Sequence, residues 1–285
     1  KVQDGVDKAA GKGWSVLKET DNALEAAIAA VMVMEDDFRF NAGTGSCLRR
    51  DGSVQNDSSV ATSDGRMGAI ANLRNFKNPV LIAKELLDEF PVMLAGEGAI
   101  EFALKRGYKQ TKVKGSEKGW TGDTVGAVVQ SSKGDIVVAS STGGVRGRPV
   151  GRVGDTPLWG SGFYCDEKIG IVATGVGEAI TKQLLCYRVA QHSEDLKEAM
   201  EWGVRLLPKD TGVGIEPSKL DALFSPFIQA EENTNRRFGG TGLGLSICKK
   251  IADAMDAELT IDSQKSIGTE ARFSVSFKSS DCEET

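Results

Sequence analysis

Gly122-Asp-Thr-Val-Gly-Ala-Val-Val129 is the stretch on which the fold turns. It is an apolar, valine-rich run that opens on a threonine, the composition of a buried strand. The passage before it, KQTKVKGSEKGWTG from Lys109 to Gly122, is dominated by Lys, Gly, Ser and Thr and reads as a solvated linker open to cleavage. After it, Lys133-Gly134 turns the chain into a second apolar run, Asp135 to Ser140, so the two runs form a hairpin. Ile169 to Ala173 reads as a third strand and Glu178 to Val189 as a helix. On the N-terminal side, Val6 to Leu17 and Ala23 to Met34 show helical spacing, with Asp21 or Asn22 able to cap the second helix. The passages Asn41 to Ser46 and Asp51-Gly-Ser53 read as short strands joined by tight turns. Asn78-Pro79 opens another helix, with proline at its first position, and one more follows Gly98. This order predicts an α/β layered domain rather than a barrel.

Composition narrows the chemistry. The chain has 285 residues, 35 Lys+Arg against 40 Asp+Glu, a net charge of −5 and one histidine. Its mild acidity gives no electrostatic case for a nucleic-acid partner. A single histidine, His192, argues against a histidine-rich metal centre and leaves one imidazole for any Ser-His-Asp arrangement. Five scattered cysteines without CxxC spacing do not make a disulfide framework, and a reducing, cytoplasmic location is the expectation. No apolar run reaches the roughly 18 residues of a membrane span, so no membrane partner is expected. Lys1 is not an initiator methionine, and a fragment or processed chain is expected.

Past Leu207-Pro208 the texture changes. Asp210-Thr-Gly-Val-Gly-Ile215 and Gly239-Gly-Thr-Gly-Leu-Gly-Leu245 are glycine-dense, and an amphipathic helix is predicted from Leu243 to Met255. Two strands close the chain, Glu258 to Ile261 and Ala271 to Phe277, with a turn at Gly268. The domain boundary is placed at Lys209, giving 1–209 and 210–285.

A threonine at the start of a buried strand, directly after a linker, has a chemical use. Cleavage between Asp123 and Thr124 frees an α-amino group whose ordinary pKa is about 7.7–8.0. That amine can take the proton from the hydroxyl of its own residue, uniting nucleophile and base. Acyl transfer then needs no histidine. Taken on the strand alone, Thr124 reads better as an ordinary β-former; the other motifs tip the reading to catalysis.

Residues 1–209 resemble the threonine-type (plant-type) asparaginases, or isoaspartyl peptidases, of the N-terminal-nucleophile hydrolases. The resemblance is carried by EDDFRFNAGTGS (35–46), DTVGAVV (123–129), STGG (141–144), GRVGDTP (151–157) and ATGVGE (173–178). It implies an αββα sandwich, self-cleavage before the nucleophile, and hydrolysis of asparagine's side-chain amide or of β-aspartyl dipeptides. It implies no cofactor for hydrolysis and a homodimer of cleaved protomers. Carried over by motif, Thr124 is the nucleophile and Thr142 its hydroxyl partner. Thr174 and the Gly175 amide are the oxyanion donors. Arg152 and Asp155 grip the small-molecule substrate's α-carboxylate and α-ammonium, and Asn41 lies near the same pocket. Threonine aspartases carry serine at the Thr142 position and lack the acid at Asp155, so a small amino-acid amide is favoured over a protein substrate. Glycosylasparaginases share the aspartate before the nucleophile and remain an alternative. The family's opening strand and HGGAG-like loop, and its closing strands, have no counterpart here, so the sandwich is expected to be truncated, with exposed edges.

Residues 210–277 resemble the C-terminal part of the ATP-binding domain of sensor histidine kinases, through DTGVGI, LFSPF (223–227), GGTGLGLSICKKIA and GTEARFSVSF (268–277). This implies a partial α/β histidine-kinase-type ATPase sandwich. Asp210, with Gly212 and Gly214, would take the adenine side of ATP, and a lid bearing Gly240, Gly242 and Gly244 the phosphates. The asparagine-bearing helix that holds magnesium in that family is missing. An LPKDTG-like string occurs in asparaginases and DTGVGI in kinases, so a chimera joined at the short string they share is expected. The alternative to the hydrolase is a nucleotide-binding regulatory protein on an inactive asparaginase-like scaffold.

Overall fold

Asn22 separates two helices, α1 (Gln3–Thr20) and α2 (Ala23–Glu35), and its side-chain oxygen accepts the Glu25 N–H at 3.1 Å. That is the N-cap the sequence offers. The structure, a computed structural model, describes residues 3–116, 124–192, 195–206, 258–264 and 268–274. It divides into two compact units, Lys1–His192 and Ser193–Thr285.

Residues 36–55 hold no strand beyond an isolated bridge between Cys47 and Ser116, which corrects the expectation of short strands there. The backbone of this passage makes tight local turns, such as Arg49 N–H to Ser53 O at 2.8 Å, and also bonds to distant segments. Gly45 N–H donates to Lys114 O (2.9 Å), Ser116 N–H to Ser46 O (2.9 Å) and Gly147 N–H to Leu48 O (3.0 Å). The described part of the expected linker is therefore tethered, with Thr111 N–H also bonded to Asn75 O at 2.7 Å.

The main sheet follows. Its strands are β1 (Asn56–Thr62), β2 (Met67–Leu73), β3 (Met93–Ala95), β4 (Val125–Gln130) and β5 (Ile136–Thr142), in the order β3-β2-β1-β5-β4. Only β2–β3 is parallel. The helices α3 (Pro79–Glu85, with Pro79 in its first turn) and α4 (Gly96–Lys105) precede and follow β3. β4 and β5 form the hairpin expected from the valine-rich runs, turning at Gly134. Alternation along β5 divides two cores. Val137 and Ala139 pack with α2, α3 and α4, whereas Ile136 and Val138 pack with Phe163 and Cys165 of a second sheet. That sheet pairs β6 (Phe163–Cys165) with β7 (Gly170–Val172). Helices α5 (Gly177–Gln183) and α6 (Leu185–His192) follow, and α6 packs on β6 and β7. Helices, sheet, sheet and helices are the four layers of an αββα sandwich.

The sequence predicts one helix over 178–189, and the structure breaks it. Leu184 sits in the left-handed region at φ +47°. The chain turns there because Tyr187 N–H bonds to Gly160 O (2.9 Å) and Cys186 N–H to Ser161 O (3.4 Å), anchoring α6 to the 155–162 segment. In the second unit, α7 (Leu196–Leu206) is described, as is an antiparallel pair of β8 (Glu258–Gln264) and β9 (Gly268–Ser274). Gly268 starts β9 opposite Gln264 instead of forming the expected turn. The helix expected over 243–255 lies outside the described residues. Among those described, no helix is long and apolar enough to cross a membrane.

Candidate active site

Antiparallel pairing places Val125 opposite Ser141, so the next residues out, Thr124 and Thr142, face each other across the hairpin. Their hydroxyl oxygens are 2.8 Å apart. Thr142 Oγ1 also accepts the Gly144 N–H at 3.0 Å. Thr142 is buried and Thr124 half-buried, on the sheet face that meets β6 and β7. Asp123 lies outside the described residues.

Asn41 is buried behind this pair. Its Nδ2 donates to Gly144 O (2.6 Å), its Oδ1 accepts the Cys47 N–H (2.9 Å), and its carbonyl accepts the Gly143 N–H (2.8 Å). The carboxamide is thus engaged with the loop that carries Thr142. The two loops touch so closely that a Cβ on Gly143 would come within 2.4 Å of Ser46 Cβ and 2.5 Å of Asn41 Oδ1.

Arg152 and Asp155 form a second cluster. Asp155 Oδ1 and Arg152 Nη2 both crowd one point over Gly177, lying 2.6 and 2.8 Å from where a Cβ on that residue would be. Arg152 is clamped side-on by Glu178, Nε to Oε1 at 3.1 Å and Nη2 to Oε2 at 3.0 Å. Those bonds hold the Glu178 carboxyl below the ordinary carboxylate range, with the charge of Arg148 acting the same way. Thr174 and Gly175 are exposed on the segment joining β7 to α5, immediately before Gly177. The two clusters and this segment contain all the described residues expected at the hydrolytic site. Asp210, Gly212, Gly214, Gly240, Gly242 and Gly244 lie outside the described residues.

Sequence reasoning missed what joins the clusters. Gln55-Asn-Asp-Ser-Ser59 is buried throughout and runs into the central strand β1. Gln55 Oε1 accepts the Gly151 N–H at 2.9 Å. Asn56 Nδ2 donates to Ser46 Oγ (2.6 Å) and reaches Thr142 O (3.4 Å). Asp57 accepts the Asn72 N–H (2.7 Å) and, at 3.5 Å, the Gly154 N–H. Ser59 Oγ bonds Thr156 O at 2.7 Å. One strand thereby holds both the 142–144 loop and the 151–156 loop. Burial pushes the Asp57 carboxyl up, opposed by the Asn72 N–H and by Arg49. Arg49 is itself buried, donates Nη2 to Gln55 O (3.2 Å), and lies against Gly144. The only signal in the sequence was five successive polar residues adjoining Val-Ala-Thr, which by period alone reads as loop.

Glu35, at the end of α2, is fully buried, and its Oε1 accepts the Val80 N–H at 3.0 Å. Loss of water pushes its carboxyl up to about 8, against the pull of Ser141, the Val80 N–H and Asn78.

Comparison with known proteins identifies the family. The family model described as "Asparaginase" matches residues 1–117 and 108–212. A model described as "Histidine kinase-, DNA gyrase B-, and HSP90-like ATPase" matches residues 189–279. The isoaspartyl peptidase/L-asparaginase of Rattus norvegicus is 37% identical over 224 residues, 70% of this chain and 67% of that protein. Its counterpart in Homo sapiens is 36% identical over 225 residues, 70% and 73% of the two chains. The plant-type L-asparaginase of Pyrococcus abyssi is 34% identical over 247 residues, 74% and 80% of the two chains. With paired threonines at a hairpin mouth, an arginine–aspartate cluster tied to the same strand and this extent of similarity, the chain belongs to the asparaginase family of hydrolases.

Proposed function

We propose that this protein is an amidohydrolase whose nucleophile is made by self-cleavage between Asp123 and Thr124. The Thr124 hydroxyl attacks the Asp123 carbonyl carbon, the peptide bond becomes an ester, and water hydrolyses it. Asp123 is left with a carboxylate and Thr124 with a free amine. In turnover that amine takes the Thr124 hydroxyl proton as the oxygen attacks the substrate's side-chain amide carbon. The departing ammonia or amino acid leaves with the proton, and water then releases aspartate from the acyl-enzyme.

Thr142 supports the Thr124 oxygen, Thr174 and the Gly175 amide take the developing oxyanion, and Arg152 and Asp155 hold the head group. The substrate is asparagine or a β-aspartyl dipeptide, in keeping with the names of the relatives, and the active form is a homodimer of cleaved protomers. The observation that carries this reading is the 2.8 Å Thr124–Thr142 hydroxyl pair at the start of β4. Mass spectrometry of the purified chain tests it. Fragments of 123 and 162 residues, absent in Thr124→Ala, are the expected result. Intact polypeptide without ammonia release from asparagine or β-aspartyl dipeptides would overturn it.

The ATPase-type match over residues 189–279 favours a second, independent property, nucleotide binding by the C-terminal unit. Asp210 and the glycines at 212, 214, 240, 242 and 244 would hold ATP, and no hydrolytic step depends on it. Calorimetric titration with ATP, with and without Asp210→Ala, tests this reading; equal heats from both proteins exclude it.

A further inference from the structure

Among the described residues, Arg152 is the most enclosed arginine in an ion pair: its side chain is 11% exposed while that of its partner Glu178 is 46% exposed. The carboxylate grips the guanidinium by its Nε–Nη2 edge. A planar guanidinium has a second edge, Nη1–Nη2, that can take another carboxylate in parallel. Nη1 donates to no described residue, and Asp155 Oδ1 lies beside Nη2 over Gly177. Glu178 therefore determines which edge of Arg152 is presented beside Asp155.

Resting on the head-group role just proposed for Arg152 and Asp155, we propose that Glu178 is a positioning residue, one that orients Arg152 for the substrate's α-carboxylate without touching the reacting atoms. An arginine on a free stem loses rotamer freedom when it binds a ligand, and one already clamped by a second carboxylate loses less. Gly177 is part of the same device, because a side chain there would occupy the space between Arg152 Nη2 and Asp155 Oδ1. The opposite role is that of an internal competitor, with the Glu178 carboxylate standing where the substrate's should be. The two roles predict opposite signs of the change in KM.

The experiment compares wild type, Glu178→Gln and Glu178→Asp on asparagine and on 3-aminopropanamide, which is asparagine without its α-carboxylate. For Glu178→Gln on asparagine, KM rises about tenfold while kcat stays within about twofold, the split expected when binding alone is lost. On 3-aminopropanamide the variant matches the wild type, because no carboxylate is there to be oriented. Glu178→Asp recovers part of the asparagine KM. A KM that falls or stays constant in Glu178→Gln overturns the proposal, as does an equal loss on both amides, which marks a general structural defect. If the wild type turns over neither amide, the hydrolase reading fails, yet calorimetry with aspartate still decides this one. Binding about tenfold weaker in Glu178→Gln supports orientation; equal or tighter binding, or no aspartate binding by the wild type, rejects it.

Discussion

The two halves of the site are built differently. The Thr124–Thr142 pair rests on strand register, supported by the Gly144 N–H on Thr142 Oγ1 and by Asn41 on the Gly144 carbonyl. The Arg152–Asp155 pair sits on a loop, held by backbone N–H bonds to Gln55 and Asp57 and by one half-exposed carboxylate, Glu178. The contrast matches the demands of the role proposed for each half. A nucleophile misplaced by an ångström would lose rate, so a rigid sheet would suit Thr124. A grip that admits and releases a charged head group would need a solvent-facing side.

That contrast can be broken at either half. Thr142→Val keeps the side chain's shape and removes its hydroxyl, so kcat on asparagine should fall by about 10²–10³ with KM little changed, the loss typical of one donor at a reacting oxygen. Steady-state kinetics checks it; a rise confined to KM would show the halves are not separate. Gly177→Ala attacks the other half. The new Cβ strikes Asp155 and Arg152, and an about 10²-fold loss should appear in KM, the scale of an ångström's misplacement. Circular dichroism should show the fold retained.

Asn41→Ala probes the brace behind the Thr124–Thr142 pair. It orphans Gly144 O and the Cys47 N–H, costing about 1–3 kcal/mol in urea unfolding. The damage should fall on kcat, and a change only in KM would place Asn41 with the grip instead.

Glu35→Gln sharpens the comparison through pH. In the unfolded chain Glu35 ionises near its ordinary 4.5, while in the fold it stays protonated to about 8. Between those values the native state holds the extra proton, so its contribution to stability is present in acid and lost as pH rises. The wild type should lose up to about 1.4 kcal/mol per pH unit from this group, and Glu35→Gln should flatten that slope. Urea midpoints at about pH 5 and about pH 9 read it out, and parallel curves for both proteins would refute it.

Much of this was legible without coordinates. The valine runs and the Lys133-Gly134 turn predict the β4–β5 hairpin, while its register, with Gln130 opposite Ile136 and hence Thr124 across from Thr142, came from the structure. Asn22 and Pro79 mark helix starts through local capping chemistry. Gln55 to Ser59 escaped notice because a buried polar strand violates the periodicity by which strands are read. It is tolerated because each side chain finds a partner on a segment far along the chain. Leu184 likewise carries no breaker signature, and its left-handed turn is imposed by bonds from α6 to Gly160 and Ser161.

The sequence by itself determined the elements whose causes are local: caps, the hairpin turn, alternating apolar faces, and the motifs that contain each reactive group. Only the tertiary structure decided that Arg152 faces Glu178 over Gly177, and that one polar strand ties both loops together. Those contacts join residues tens of positions apart, and their free energy exists only once the intervening chain has closed and water has been expelled.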